Sequence, residues 1–445
     1  MSNAPDIAAT HAKYVLTPWV AQGGLRAPVI DRGEGCYLID EEGKRYFDLG
    51  SGLIAVNLGH GHPKLVSAIK AQADKIGYSA PGLFNRARAE LAEELSKISP
   101  WKEGCRTFFT TAGAEANDDV VRIARNLTGR TKVLTAYRSF HGSTGTSVTL
   151  TGEDRRWGGE PGAYGVVRFF APYTYRSPFY ATTEKEECDR ALDHLKRVLM
   201  HEDPKRVAAL LIEPVVGSNG VITYPEGYLA GLRKICDEHG ILLVFDEVMT
   251  GFGRTGSAFA STRYGVTPDM MTFAKGVTSA YLPLGGIMIR ESLAKTYDER
   301  ALPSGHTYSG HPMTVACGLA AVRAYQEEGL FERGREIEGW LKDGLGKLAS
   351  SHSLIGDVRG VGAFFALELV KDRTSREPLV PWHGPGPGVM KTFFAELRAR
   401  GVFTFGKFNV AMMAPPLTCK KAELDQALEA VDGALTALAK AVAAS

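Results

Sequence analysis

The chain has almost no surplus charge: 52 lysines and arginines against 50 acids leave a formal +2. That balance gives no electrostatic basis for binding nucleic acid or an anionic membrane, and small neutral or mixed-charge ligands fit better. Its six cysteines, at 36, 105, 188, 236, 317 and 419, stand far apart and form no C-x-x-C pair. Neither a zinc site nor a disulfide framework is indicated, and reduced thiols are expected. No apolar run approaches the length that spans a bilayer. The first fourteen residues lack the basic start and apolar centre of a secretory signal, so a cytoplasmic protein is predicted. No internal repeat or low-complexity tract is visible, although the glycine- and proline-rich stretch 381–388 predicts a flexible loop. What remains is a globular composition, 445 residues with 44% hydrophobic and 23% charged, long enough for two or three domains.

Periodicity divides the chain. Segments 33–40 and 45–49 alternate around Glu41-Glu42-Gly43-Lys44 and predict a β-hairpin with a glycine turn. From about 60 to 310, helical stretches at 86–97, 118–126 and 188–200 alternate with short apolar runs. Those runs, 105–111, 131–137, 166–171, 207–213, 241–246, 270–274 and 285–290, predict seven strands in a largely parallel sheet covered on both faces. The last two, joined by a loop without a helix, allow an antiparallel member. A helical pattern follows from 314 to 349 with a break near Gly329, then a strand at 361–369 and a final helix at 421–442. Three regions are therefore expected. Residues 1–59 form an N-terminal segment whose hairpin packs with the small domain, 60–312 a large ligand-binding domain, and 313–445 a linking helix and a small C-terminal α/β domain.

The residue richest in chemical meaning is Lys275. It ends the apolar run Met270-Met271-Thr272-Phe273-Ala274 and opens the loop Gly276-Val277-Thr278-Ser279, which puts a lysine at a strand tip. A second buried run, Ile241-Leu242-Leu243-Val244-Phe245, delivers Asp246 to the same edge. In open α/β sheets ligands bind outside the carboxyl ends of the strands. A lysine there, with an acidic partner for a pyridinium nitrogen, is what pyridoxal phosphate requires. Burial lowers a lysine's pKa and supplies the neutral amine that attacks an aldehyde.

Other requirements of that cofactor have candidates. The strand ending at Thr111 runs into Ala112-Gly113-Ala114-Glu115-Ala116-Asn117 and a helix, so Gly113 and Ala114 offer backbone N–H groups at a helix N-terminus. By itself such a glycine is usually only a tight connection. Phe140 and His141, before Gly142, reach another strand tip, where Phe140 is placed to stack on a ring. An isolated Phe-His pair also reads as core and a structural histidine. Glu213 arrives at the same edge before Pro214, either against the substrate or cofactor surroundings or as an ordinary paired glutamate. His60-Gly61-His62 has too few partners for a metal site, and Gly251-Phe252-Gly253-Arg254-Thr255-Gly256 lacks the strand–helix context of a nucleotide fingerprint. No metal is assigned.

In this order, several segments together resemble the class III pyridoxal-phosphate-dependent aminotransferases, of the ω-transaminase group. They are Gly59-His60-Gly61-His62-Pro63, Ala112 to Asn117, Phe140-His141-Gly142, Glu213-Pro214-Val215, Asp246 to Arg254, Phe273-Ala274-Lys275-Gly276 and His306 to Pro312. The resemblance covers nearly the whole chain. It implies fold type I, the aspartate-aminotransferase-like α/β fold: a mostly parallel seven-stranded sheet plus a smaller α/β domain. It makes Lys275 the Schiff-base lysine and proton shuttle, pairs Asp246 with the ring nitrogen, stacks Phe140 on one ring face and Val248 on the other, and gives the phosphate to Gly113 and Ala114. Thr307 would complete the phosphate site of a neighbouring subunit, which implies a homodimer with a shared active site and leaves dimer against tetramer open. The substrates implied are a small-molecule amine donor, whether an ω-amino acid such as β-alanine, an aminosulfonate such as taurine or a plain primary amine, and a keto-acid acceptor, with pyruvate expected. Trp19, Leu53, Ile54 and Lys407 are the candidate substrate-pocket residues.

Two departures bear on substrate. Many amine-transaminating relatives carry a tryptophan where this chain has Ile54, within Gly52-Leu53-Ile54-Ala55-Val56-Asn57, so a wider pocket is expected. Relatives often carry a mobile arginine shortly before a Pro-Pro pair, but 403–409, ahead of Pro415-Pro416, contains none. Lys407 is the candidate replacement, although a point charge lacks the guanidinium fork. The same scaffold also hosts aminomutases and decarboxylases, which need no external acceptor. A non-enzymatic cofactor-binding regulator would normally carry an appended DNA-binding domain, and none is visible.

Overall fold

The computed structural model describes residues 6–23, 27–382 and 388–443. After a helix at Ile7–Tyr14 come three short strands, β1 (Ile30–Glu34), β2 (Tyr37–Asp40) and β3 (Arg45–Asp48), as an antiparallel meander. The sequence reading placed 33–40 in one strand of a hairpin. The chain instead breaks at Gly35, whose φ of 55° permits a turn that a continuous strand does not.

Seven further strands build the central sheet: β4 (Cys105–Thr110), β5 (Lys132–Ala136), β6 (Val166–Phe169), β7 (Val207–Ile212), β8 (Leu242–Asp246), β9 (Met270–Phe273) and β10 (Gly285–Arg290). Their order is β4-β10-β9-β8-β7-β5-β6. The fold is type I α/β, with every neighbouring pair parallel except the two that β10 makes with β4 and β9. Every residue of β7 and β8 is buried, as expected for parallel strands covered on both faces. Among the described strands of this sheet β10 alone is reversed, so the carboxyl ends of β4, β5, β7, β8 and β9 open on one edge. Asp246 pairs in register with Thr272 there, so Lys275 emerges three residues beyond.

Helices Gly113–Thr128 and Glu184–Glu202 are longer than the stretches expected for them, and Arg86–Lys97 has its expected bounds. The long C-terminal pattern is two helices, Pro312–Glu327 and Leu330–Ser351, interrupted at Gly329 (φ 64°). The single strand expected at 361–369 is a hairpin: β11 (Ile355–Val361) turns at Gly362 (φ 61°) into β12 (Phe364–Asp372). Four very short strands follow, β13 (Glu377–Pro378), β14 (Val402–Phe403), β15 (Gly406–Lys407) and β16 (Val410–Met413), then the helix Lys421–Ala443. β14 pairs with β3 in parallel, which ties the N-terminal sheet to the C-terminal part of the chain. Residues 383–387 of the expected loop at 381–388 lie outside the described residues.

The loop at 251–256 has a structural role. Arg254 is fully buried and donates to the carbonyls of Ala363 (2.9 Å) and Pro415 (2.7 Å) and to Asn57 Oδ1 (2.6 Å). It thereby joins the N-terminal segment, the central domain and the C-terminal sheet. Asn57 donates onward to the Phe252 carbonyl at 3.0 Å, and Tyr325 donates to the Gly276 carbonyl at 2.8 Å. The loop next to Lys275 is thus fixed from two sides. His60 Nε2 lies 2.9 Å from Asp48 and His62 pairs with Glu328, which gives both histidines a structural use.

Candidate active site

A cavity of about 480 Å³ opens at the carboxyl edge of the sheet. Lys275 enters it from the end of β9, held at a φ of 46° that a non-glycine residue seldom adopts. Burial pushes its ammonium down to about 8, against the opposing pull of Asp246 and Glu213. The neutral amine is therefore far more populated near physiological pH than in an ordinary solvated lysine, though still the minority form.

Asp246, at the tip of β8, is a buried carboxylate with a directed environment. Its Oδ2 accepts from Asn117 Nδ2 and from His141 Nδ1, both at 2.8 Å. A carboxylate only accepts, so His141 carries its proton on Nδ1. Among the described residues Oδ1 accepts a single hydrogen bond, from the Val248 amide at 3.0 Å, and keeps acceptor capacity for a further donor. Asn117 is itself held, because Thr272 on β9 donates to its Oδ1 at 2.8 Å, while its amide also donates to the His141 carbonyl at 2.8 Å. One asparagine thus orients the acid, the histidine loop and two elements of the scaffold.

Helix Gly113–Thr128 points its N-terminus into the cavity, and no described side chain caps it. Its first amides are free for an anion. Glycine at 113 is dictated by close packing, since a Cβ there would stand 2.8 Å from Val248 Cγ2. Gly142 is equally constrained: its φ is 138°, and a Cβ would fall 2.5 Å from that of Ala114. Phe140 and Val248 both line the space between. Glu213 lies at the floor, where the Phe140 amide donates to Oε1 (2.9 Å) and the Gly217 amide to Oε2 (2.8 Å). Burial pushes its carboxyl up to about 7, with His141 opposing the rise.

Trp19 joins the cavity wall, its ring edge-on to Phe140 at 6.2 Å. Lys275, Asp246, Gly113, Ala114, Phe140, His141, Glu213, Val248 and Trp19 thus share one cavity. Four other expected residues do not reach it within this chain. Ile54 is sunk in an apolar cluster with Val215, Met249 and Phe364, so Ala55 lines the wall in its stead. Leu53 is half exposed to solvent. Thr307 lies in a separate surface cleft beside Tyr78, whose hydroxyl donates to its carbonyl at 3.0 Å. Lys407 is turned away and pairs with Glu153 and with Asp154 at 2.5 Å.

The cation beside the cavity is one that sequence reasoning passed over. Arg155 lays its guanidinium on the Phe140 ring, 3.6 Å from the centroid, and 5.4 Å from that of Trp19. Its Nε donates to Glu153 and its Nη2 to Ser218 Oγ at 2.8 Å. Nη1 donates to none of the described residues. Nothing in Glu153-Asp154-Arg155-Arg156 distinguishes this arginine from a solvated charge run. Its place follows from contacts with residues distant in sequence. Asn117 did carry a signal, standing four residues after Gly113 on the same helix face.

The profile of the Aminotransferase class-III family matches residues 21–435. Among solved structures, taurine:2-oxoglutarate aminotransferase from Bifidobacterium kashiwanohense, in complex with PLP and glutamate, is 39% identical and covers 98% of either chain with a TM-score of 0.94. An (S)-enantioselective ω-transaminase from Thermomicrobium roseum is 34% identical, covers 97% of this chain and 98% of its own, and has a TM-score of 0.91. The 4-aminobutyrate aminotransferase of Escherichia coli is 32% identical over 414 residues, 92% of this chain and 93% of its own.

Proposed function

The chain belongs to the class-III aminotransferases, enzymes that use pyridoxal 5'-phosphate, and from that premise we propose that it moves an amino group from a donor with an anionic tail, an ω-amino acid or aminosulfonate, to a keto acid. The observation that carries this reading is Arg155, a guanidinium set against two rings of the cavity with Nη1 uncommitted. A carboxylate or sulfonate is the group such a cation recognises. Pyruvate is the acceptor proposed, and the 2-oxoglutarate in the name of the Bifidobacterium relative is its competitor.

The cavity fits the cofactor on its own features. A helix N-terminus without a described side-chain cap suits a phosphate, the apolar wall that includes Phe140 and Val248 suits a flat ring, and Asp246 Oδ1 suits a pyridinium N–H. When bound, the cofactor supplies an electrophilic carbon and a ring that withdraws electrons. The chain does the rest. Lys275 would hold the cofactor through its amine and, released by the incoming donor, would carry a proton between the donor carbon and C4′. Asp246, held by His141 and Asn117, would pair with the ring nitrogen and favour its protonated form. Glu213 fixes the Phe140 amide and so the placement of its ring on the cavity wall.

The reading extends to assembly. Phe84 is fully exposed, with Leu83 (62%) and Tyr308 (58%) also open. An apolar face beside Thr307 suits a second copy of the chain, and a homodimer would let each copy lend Thr307 to the other's phosphate. We retain a large domain at 60–312, flanked by the N-terminal segment 1–59 and the small domain 313–445, and a cytoplasmic location. Among the described residues no helix is long and apolar enough to cross a membrane.

Steady-state kinetics over β-alanine, taurine and 1-phenylethylamine test the substrate class. Arg155→Met is expected to raise KM for the two anionic donors by roughly tenfold to a hundredfold relative to the amine. An equal effect on all three donors contradicts the reading.

A further inference from the structure

Glu153 carries a buried carboxylate between two cations. Its side chain is fully shielded from solvent, Arg155 Nε donates to Oε1, and Lys407 Nζ sits against Oε2. Lys407 also reaches Asp154 at 2.5 Å. The group is thus two acids and two bases, with no net charge among the four. Its cationic end, Arg155, faces the aromatic wall of the cavity, and its other end, Lys407, lies on β15 of the C-terminal sheet.

We propose that Lys407 is a specificity-determining positioning residue: by neutralising Glu153 from behind, it leaves the charge of Arg155 available to the anionic end of the substrate. This inference rests on the reading of Arg155 as the anion anchor. Without Lys407, Glu153 and Asp154 would outweigh Arg155, and an incoming carboxylate or sulfonate would meet net negative charge in a poorly solvated place. Like charge there is expensive. Glu153 itself cannot be dispensed with cheaply, because it and Ser218 hold the guanidinium flat against Phe140. The pairing therefore reconciles two demands: a carboxylate to orient Arg155, and a local charge that still attracts an anion. It also gives Lys407 a use outside the cavity, where direct binding of a carboxylate is not open to it.

The test is calorimetric binding of propane-1-sulfonate, an anion with no amine to react, to the cofactor-loaded protein. Tryptophan fluorescence and the cofactor's visible band verify that each variant is folded and loaded. Arg155→Met, Lys407→Met and Lys407→Gln are each expected to weaken binding by about tenfold or more, the order of a lost charge pair. Lys407→Arg is expected to restore it to within about threefold. The decisive variant is Glu153→Gln combined with Lys407→Met. With no carboxylate to neutralise, the double variant is expected to bind several-fold more tightly than Lys407→Met alone. In parallel, the ratio of KM for taurine to KM for 1-phenylethylamine is expected to rise about tenfold in Lys407→Met.

If Arg155→Met weakens sulfonate binding while neither lysine variant does, or if Glu153→Gln brings no recovery, Lys407 is merely structural and the inference is overturned, with the anchor intact. If Arg155→Met leaves sulfonate binding unchanged, the anchor itself is wrong and the inference falls with it.

Discussion

His141 Nδ1 and Asp246 Oδ2, separated by 105 positions in the chain, meet at 2.8 Å below the cavity. The same oxygen takes the Asn117 amide, so Oδ1 alone faces outward with capacity to spare. Asp246→Asn is expected to lower turnover by on the order of 10²–10⁴ while leaving the cofactor bound, because neither the helix N-terminus nor Lys275 is altered. His141→Ala removes one of the two side-chain donors to Asp246 Oδ2 and is expected to cost roughly tenfold to a hundredfold. Single-turnover absorbance with cofactor stoichiometry separates a chemical defect from lost cofactor.

The depressed pKa of Lys275 sets a pH dependence for cofactor capture. Burial brings the group to about 8, so the neutral, attacking form is a minority below that pH and dominant above it. The rate at which cofactor-free protein captures pyridoxal phosphate is expected to rise about tenfold per unit as pH increases towards 8 and to level off beyond. Stopped-flow absorbance measures it. A rate still climbing tenfold per unit between 9 and 10 would show an ordinary solvated lysine.

Much of this site was readable from the chain, for a physical reason. Parallel strands buried on both faces are continuous apolar runs, so the ends of β8 and β9 stand out, and with them Asp246 and Lys275. The break at Gly35 and the two-residue strands β13, β14 and β15 carry no comparable period, and their pairing is decided by tertiary contact. Ile54 illustrates the limit in the pocket. Its neighbours Val215 and Phe364 lie far away in sequence, and they draw it into the core and bring Ala55 to the wall. The placement of Arg155 and Lys407 was hidden for the same reason, since only the folded chain sets one on Phe140 and the other against Glu153.

Two glycines of the cavity are constrained by contact and backbone. Gly113→Ala drives a methyl to 2.8 Å from Val248, and Gly142→Ala adds an unfavourable φ of 138° to a 2.5 Å clash with Ala114. A cost of about 1–3 kcal/mol is expected for each. In Gly113→Ala it should fall largely on cofactor affinity, which equilibrium dialysis reports, and in Gly142→Ala also on the thermal midpoint.

The proposed dimer makes separable predictions. Phe84→Asp is expected to shift the protein towards monomer in sedimentation velocity, because it places a charge in an apolar contact. Thr307→Ala is expected to leave the dimer intact and weaken cofactor binding by roughly tenfold through one lost phosphate hydrogen bond. A Thr307→Ala protein with unchanged affinity would remove this residue from the phosphate site.

The most direct measurement is an absorbance scan of the cofactor-loaded protein before and after β-alanine, taurine or 1-phenylethylamine is added singly, without keto acid. Transfer of the amino group from taurine or β-alanine should bleach the visible cofactor band, and pyruvate should then restore it. A band that no donor bleaches, or one that recovers without any keto acid, contradicts a transaminase and points to the acceptor-independent chemistry of an aminomutase or a decarboxylase.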